Sequence, residues 1–334
     1  RLLLTRVKAL TPRRSLPLCC SPFMAAAERE EAVEGAPCQN EEEPFPLLDI
    51  SSPQTLEWCR TLPPPPEDYA DDVFVCSYPK SGTTWMQHIV GSLVSRSIGG
   101  TLAPDGHISS RTPFFEIDPH WAGRGELAPK LVEGHHKMRR RMFNTHLRWE
   151  MMPKQPRARY IYVCRDGRDA CNSFFHHLSS QHTKAGNRFV FEGSFAEFHA
   201  LWVEGKVEFG RWTDHLASWD RAVEDSRVLF LSYEEMLSDL RPCVERVSAH
   251  LGLELKEEDL SELLPTFSLS HMKANRDNFQ PTSVSWKEGF EFIRKGERGD
   301  HASLYGDVER AAYAAEFRRR LPAGAPTWAP YAAE

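Results

Sequence analysis

The stretch Val73-Phe74-Val75-Cys76 runs without a break into Ser77-Tyr78-Pro79-Lys80-Ser81-Gly82-Thr83-Thr84, and from there into residues whose apolar members recur every three or four positions. A short apolar run bounded by turn signals is the pattern of a strand covered on both faces. Trp85, Met86, Ile89, Val90, Leu93 and Val94 set an amphipathic helix over Thr84–Ser97, closed by Gly99-Gly100. The order returns later. Tyr160–Cys164 predicts a strand with Asp169–Leu178 as the helix after it, and Trp212–Val223 and Val228–Leu231 predict a further helix and strand. Such alternation predicts an α/β fold, a mainly parallel central sheet flanked by helices in a single domain, with ligands at the carboxyl ends of the strands. Val308–Leu321 predicts a last helix. Residues 99–140 mix Gly, Pro and His and predict a long irregular segment that serves as a lid or binding wall. The basic run at its end, Arg139-Arg140-Arg141, reads as a solvated surface turn.

Composition narrows the function classes. With 334 residues, 41% hydrophobic and 26% charged, the chain can bury a large core. Lys plus Arg is 41 against Asp plus Glu at 47, a net charge of −6, which argues against a nucleic-acid coat protein or a polybasic membrane binder. Any anionic ligand must be gripped by local geometry. No apolar run approaches the ~20 residues of a membrane span. The eight cysteines form no CxxC pair, and Cys76, Cys164 and Cys171 lie in apolar segments, so buried thiols in a reducing compartment are expected, with no metal site.

The first residues differ from the rest. Residue 1 is Arg, and residues 1–24 carry Arg1, Arg6, Lys8, Arg13 and Arg14 with no acid, which is similar to an organelle presequence. The preferred expectation is a start at Met24-Ala25-Ala26-Ala27 behind a translated leader. Residues 25–43 hold seven Glu against Arg29 alone and are expected to be disordered, so the segment 1–43 is set apart from a folded domain over 44–334.

Ser81-Gly82-Thr83-Thr84 joins a buried strand to a helix, so its free backbone N–H groups converge with the helix dipole behind them. An oxyanion fits there. Lys80 adds a point charge, Thr83 and Thr84 add hydroxyl donors, and Gly82 permits close approach. No glycine precedes the loop and the lysine stands ahead of it, unlike G-x-x-x-x-G-K-[ST], which weakens kinase and GTPase readings. Arg165 follows a predicted strand, and Arg294-Lys295-Gly296 pairs two cations with a residue open to close approach. Two separate anchors suit a bis-phosphorylated nucleotide better than ATP.

With these motifs in this order, the sequence resembles the cytosolic sulfotransferase family over roughly Pro44 to Asp300. That resemblance implies a P-loop-like sulfotransferase fold and the donor 3′-phosphoadenosine 5′-phosphosulfate (PAPS), with 3′-phosphoadenosine 5′-phosphate (PAP) as product. It also implies a cytoplasmic location. Tyr78–Trp85 would hold the 5′-phosphosulfate, with Lys80, Ser81, Gly82, Thr83 and Thr84 around it and Trp85 stacked on the adenine. Arg165 and Ser173 would take the 3′-phosphate. Tyr233, Ser268 and Met272 would lie beside the adenine, and Arg294, Lys295 and Gly296 would form the last donor loop. His146, in Met142-Phe143-Asn144-Thr145-His146-Leu147, matches the family's catalytic histidine, a side chain whose pKa suits removal of an acceptor's proton. Lys80 would neutralise charge on the leaving phosphate. Phe114 and Phe174 match aromatic walls of an acceptor site, and Phe175 is as readily core packing; a flat, mostly apolar phenol, alcohol, steroid or amine would fit.

The chain departs from the family pattern at several positions. Asn144 stands where the family has Lys, Phe267 and Leu269 replace Thr and Phe, His301 replaces Trp, and Ala302, Gly306, Asp307 and Ala311 break the dimer motif. The resemblance therefore implies a small-molecule acceptor, no nucleic-acid or membrane partner, and no dimer built on that motif. Alternatives are a PAPS- or PAP-binding protein with little turnover, and a P-loop kinase.

Overall fold

The computed structural model describes residues 50–100, 106–182, 190–282, 284–329 and 331. The expected leader, the Met24 start and the acidic segment lie outside them. In chain order the strands are β1 (Asp72–Ser77), β2 (Trp121–Ala122), β3 (Glu126–Leu127), β4 (Met142–Thr145), β5 (Ala158–Cys164) and β6 (Val228–Ser232). The helices are α1 (Pro53–Arg60), α2 (Thr83–Ser97), α3 (Pro129–Met138), α4 (Gly167–Ser179), α5 (Phe195–Val203), α6 (Trp212–Asp220), α7 (Tyr233–Ser238), α8 (Leu240–His250), α9 (Glu257–Leu263), α10 (Leu269–Ala274) and α11 (Asp307–Arg320).

The main sheet has the order β4-β1-β5-β6 and every pair in it is parallel. Successive side chains on a strand face opposite ways, so β1 divides its residues between two cores. Val73 and Val75 pack with Ile161 and Val163 against Met86, Ile89, Val90 and Leu93 of α2 and Val244 and Val247 of α8. Phe74 and Cys76 join Tyr160 and Tyr162 in an aromatic core with Phe115, Trp212 and Trp219. Each face is covered, which is why the strands read as unbroken apolar runs.

The register aligns the strand ends. Cys76 pairs with Thr145, and Cys164 with Ser232. Consequently Lys80 after β1, His146 after β4, Arg165 after β5 and Tyr233 after β6 all leave the sheet at its carboxyl edge. The thiols of Cys59, Cys76, Cys164, Cys171 and Cys243 are free and buried. No helix among the described residues is long and apolar enough to cross a membrane.

Two expectations need correction. The region 99–140 is not one irregular loop: its described part holds 3-10 turns, the β2–β3 hairpin and the ten-residue helix α3. The arginines after it are not a solvated turn either. Arg139 is exposed, left-handed at φ 48° and paired with Asp68 at 2.8 Å, but Arg140 and Arg141 are buried. Arg141 donates through Nε to Asp72 Oδ1 at 2.8 Å and through Nη2 to the Pro63 carbonyl at 2.6 Å, while its own carbonyl accepts from Val73 N–H. This buried fork fixes the starts of β1 and β4.

Candidate active site

The loop between β1 and α2 is built to leave donors free. Gly82 caps α2 with φ 100° and no side-chain hydrogen bond, so the first turn of the helix keeps unsatisfied N–H groups. A Cβ on Gly82 would stand 2.8 Å from the Tyr233 ring, which only glycine avoids. Lys80 also has a positive φ, 66°, a conformation that costs a side-chain-bearing residue about 1–2 kcal/mol. Ser81 is fully buried, and its Oγ has no partner among the described residues. Thr83 Oγ1 instead bonds Ser77 Oγ at 2.5 Å, turned back toward the strand.

Arg165 ties this loop to the far end of the chain. Its guanidinium donates to the carbonyls of Lys80 at 3.1 Å and Glu297 at 3.0 Å, and lies 4.4 Å from the centre of the Tyr233 ring. Arg294 and Lys295 both hold the Asp300 carboxylate, which also accepts from Asn172 of α4 at 2.9 Å. Asp169 accepts from the backbone of Gly299 and from His301 Nδ1. Trp85 donates to the Phe267 carbonyl at 2.9 Å and meets Tyr233 edge-on at 5.7 Å. Met272 packs with Ile108 and Phe279 beside it, and Ser268 caps α10. Ser173 sits half-buried on α4. The fold thus gathers the loop 80–85, the start of α4, the start of α7 and residues 294–300.

His146 is held from every side except one. Its N–H donates to Glu116 Oε1 at 2.6 Å, and its carbonyl accepts from His215 Nε2 at 3.1 Å. Ring Nδ1 lies 2.7 Å from the Ser77 carbonyl, which can only accept, so the ring proton is on Nδ1. Nε2 is left as a lone pair with no partner among the described residues. Phe114 and Phe209 meet the imidazole edge-on at 5.4 and 4.9 Å. Burial first, then the charge of Lys80, against the opposing pull of the Ser77 contact, sets the His146 pKa down at about 4, so it is neutral at pH 7. Burial first, then Arg165 and Arg294, lowers Lys80 to about 7. Burial raises the Glu116 carboxyl to about 8.

Phe174 is buried and edge-on to Tyr78 and Phe198, within the aromatic core. Asn144, in the family's lysine position, spends its amide on the Thr112 carbonyl at 2.7 Å. Sequence reasoning overlooked Ser77, Glu116, Phe209 and His215, which surround His146, and His177 and Phe292, which lie against Lys80, with Trp286 behind His177. Ser77 was the most accessible of these, as the last residue of a strand that ends at the loop. Among the described residues no group of His, Cys, Asp and Glu could hold a metal ion.

The family model described as a sulfotransferase domain matches residues 70–319. The chain belongs to the sulfotransferase family. Relatives include an amine sulfotransferase of Oryctolagus cuniculus, 31% identical over 69% of this chain and 74% of that one. Sulfotransferase 2B1 of Mus musculus is 29% identical over 83% of this chain and 78% of that one. Among solved structures, mouse sulfotransferase SULT7A1 complexed with PAP superposes with a TM-score of 0.60 at 25% identity, over 81% of this chain and 90% of that one. A retinol dehydratase with retinol and PAP, at 22% identity and a TM-score of 0.60, shows the shared fold. As a sulfotransferase, the protein moves a sulfuryl group from PAPS to a small acceptor. The fold and donor expected from the motifs are borne out. Its residues suit that donor: an orphaned buried hydroxyl at Ser81, a side-chain-free approach at Gly82, and Lys80, Arg165, Arg294 and Lys295 within one edge of the sheet.

Proposed function

We propose that His146 is the general base of the transfer and Lys80 the group that offsets charge on the leaving phosphate. PAPS supplies the electrophilic sulfuryl group. His146 Nε2 takes the proton of the acceptor's hydroxyl or amine as the acceptor atom bonds to sulfur. Lys80 Nζ faces the oxygen that keeps the electron pair when its bond to sulfur breaks opposite the incoming atom. Most of the acceleration comes from positioning and fixed charges, by analogy with phosphoryl transfer. The observation that carries this reading is the Nδ1 bond to the Ser77 carbonyl, which leaves the neutral imidazole one free lone pair.

In this reading Ser81–Thr84 and Lys80 hold the 5′ end of the donor, Arg165 and Ser173 the 3′-phosphate, and Arg294-Lys295-Gly296 close over it. Trp85, Tyr233, Ser268 and Met272 border the adenine. Thr83 contributes its N–H rather than its hydroxyl, given the bond to Ser77. The acceptor lies against Phe114 and Phe209, beside the His146 ring, with Phe174 supporting that wall from the core. Edge-on aromatic rings suit a flat phenol, alcohol, steroid or amine. The domain spans 44–334, acts in the cytoplasm, and does not assemble through the family's dimer motif.

Single-turnover transfer of labelled sulfuryl from PAPS to a panel of phenols and amines tests the base. His146→Ala is expected to slow transfer by about 10²–10⁴-fold while its affinity for PAP stays near that of the native protein. A near-native rate with a phenolic acceptor would refute the assignment.

A further inference from the structure

One turn of α4 beyond Ser173, His177 brings its Nδ1 to 3.3 Å from Lys80 Nζ. An ammonium has only protons to give, so Nδ1 of His177 must carry the lone pair and the ring proton must sit on Nε2. The ring is enclosed edge-on by Trp286 at 5.0 Å and Phe292 at 6.0 Å, and the Phe292 ring lies 4.4 Å from Nζ. Trp286 itself is anchored to the end of α4. It bridges to Gln181, and the flanking carbonyl of Ser285 accepts from His182 N–H. Burial, then the charge of Lys80, drives His177 well below the usual histidine range and keeps it neutral.

The other charged groups around Lys80 cannot hold its ammonium. Arg165 follows β5 and Arg294 approaches from the last loop, and both repel it. His146 approaches from the end of β4 as a neutral ring. Asp300, the carboxylate that holds Arg294, is already taken by Arg294 and Lys295. Among the described residues, His177 is the side chain that accepts from Lys80.

We propose that His177 is a positioning residue for Lys80: its neutral imidazole accepts from the ammonium, keeps it charged between two arginines, and aims it at the oxygen the donor will release. This rests on the reading of Lys80 as leaving-group stabiliser. A histidine kept there for packing alone would tolerate phenylalanine, whose ring fills the same space between Trp286 and Phe292.

The test is the pH dependence of kcat/KM for PAPS with a saturating phenol, in the full chain. Removing the acceptor disfavours the charged amine, so in His177→Phe the alkaline limb moves to lower pH by about one unit, a loss of about tenfold above neutrality. His177→Asn, which restores an acceptor oxygen, returns the limb close to the native position. In a Lys80→Met background, His177→Phe adds no further loss. An unmoved limb in His177→Phe, or an additive loss in the double variant, overturns the proposal. If His177→Phe does not bind PAP, His177→Leu, with a smaller side chain and no acceptor, carries the same comparison. Lys80→Met separates the two readings. Native rates in that variant would refute the role of Lys80 itself, whereas a crippled Lys80→Met with an unshifted His177→Phe limb refutes only the role of His177.

Discussion

At the residue scale, the proposed chemistry depends on two groups that burial pushes in useful directions. His146, at about 4, is a free base throughout the neutral range, and Lys80, at about 7, loses its proton as pH rises through neutrality in the free protein. With these roles, kcat/KM for PAPS holds level between about pH 5 and pH 6 and falls as pH rises through 7, because the required cation disappears there. An anionic donor favours the ammonium, so the alkaline limb of kcat lies at higher pH than that of kcat/KM. Lys80→Arg keeps its charge and removes this limb, while the compact ammonium is lost and the rate falls. Paired pH–rate profiles of the native and Arg variants check both statements; a limb that persists in Lys80→Arg belongs to some other group. His146 could be picked from the fourteen histidines because its segment, Met142–Leu147, resembles the strand-end segment that carries the family's histidine. The groups that hold it could not. Glu116 and His215 reach its backbone from 30 and 69 positions away, and no local spacing encodes those contacts.

At the scale of elements, the site depends on a strand-to-helix loop that only glycine can close. Gly82→Ala would carry a Cβ into the Tyr233 ring at 2.8 Å and place a side chain at φ 100°. It is expected to weaken PAP binding by tenfold or more and to destabilise the fold by about 1–2 kcal/mol, read by calorimetric titration and by the urea midpoint. Arg165→Ala removes the fork that ties the Lys80 and Glu297 carbonyls together. Its expected effect is mainly on nucleotide affinity, with Arg165→Lys a poor rescue because an ammonium cannot reproduce the fork. Equal PAP affinity in native and Ala variants would remove Arg165 from the site. Elements legible in sequence included β1, β5 and α2, which are buried along most of their length, and α11, which is not. α2 begins at Thr83 and β6 ends at Ser232, each one residue from expectation, and α4 begins at Gly167, capped by the Asp166 side chain at Arg168 N–H. α6 ends at Asp220, and the expected extension to Val223 continues as tight turns. The β2–β3 hairpin and α3 escaped notice because two-residue strands carry no period and α3 mixes its apolar residues with His and Lys.

At the scale of the molecule, a parallel sheet with both faces covered brings four strand ends to one edge and lets an acidic chain present concentrated positive charge. The buried Arg141–Asp72 fork at the opposite ends of β1 and β4 is a support for that edge rather than a part of it. Arg141→Ala strands a buried carboxylate and is expected to cost about 3–5 kcal/mol in urea unfolding, with PAP affinity of the folded fraction unchanged. Loss of affinity without loss of stability would place Arg141 in the site instead. Buried neutral histidines also shape stability against pH. His88, His135, His146 and His199 are held near 4 and His215 near 3, so the unfolded chain takes up their protons first as pH falls below about 6.5. Unfolding free energy is therefore expected to drop steadily from pH 6.5 toward 4. The account as a whole is tested most directly by a crystal structure of the protein with PAP and a phenolic acceptor. It predicts the acceptor oxygen within about 3 Å of His146 Nε2, with Lys80 Nζ on the 5′-phosphate and Nδ1 still bonded to the Ser77 carbonyl. A ternary complex with the imidazole turned away from the acceptor, or with the nucleotide seated away from the Ser81–Thr84 loop, would contradict it.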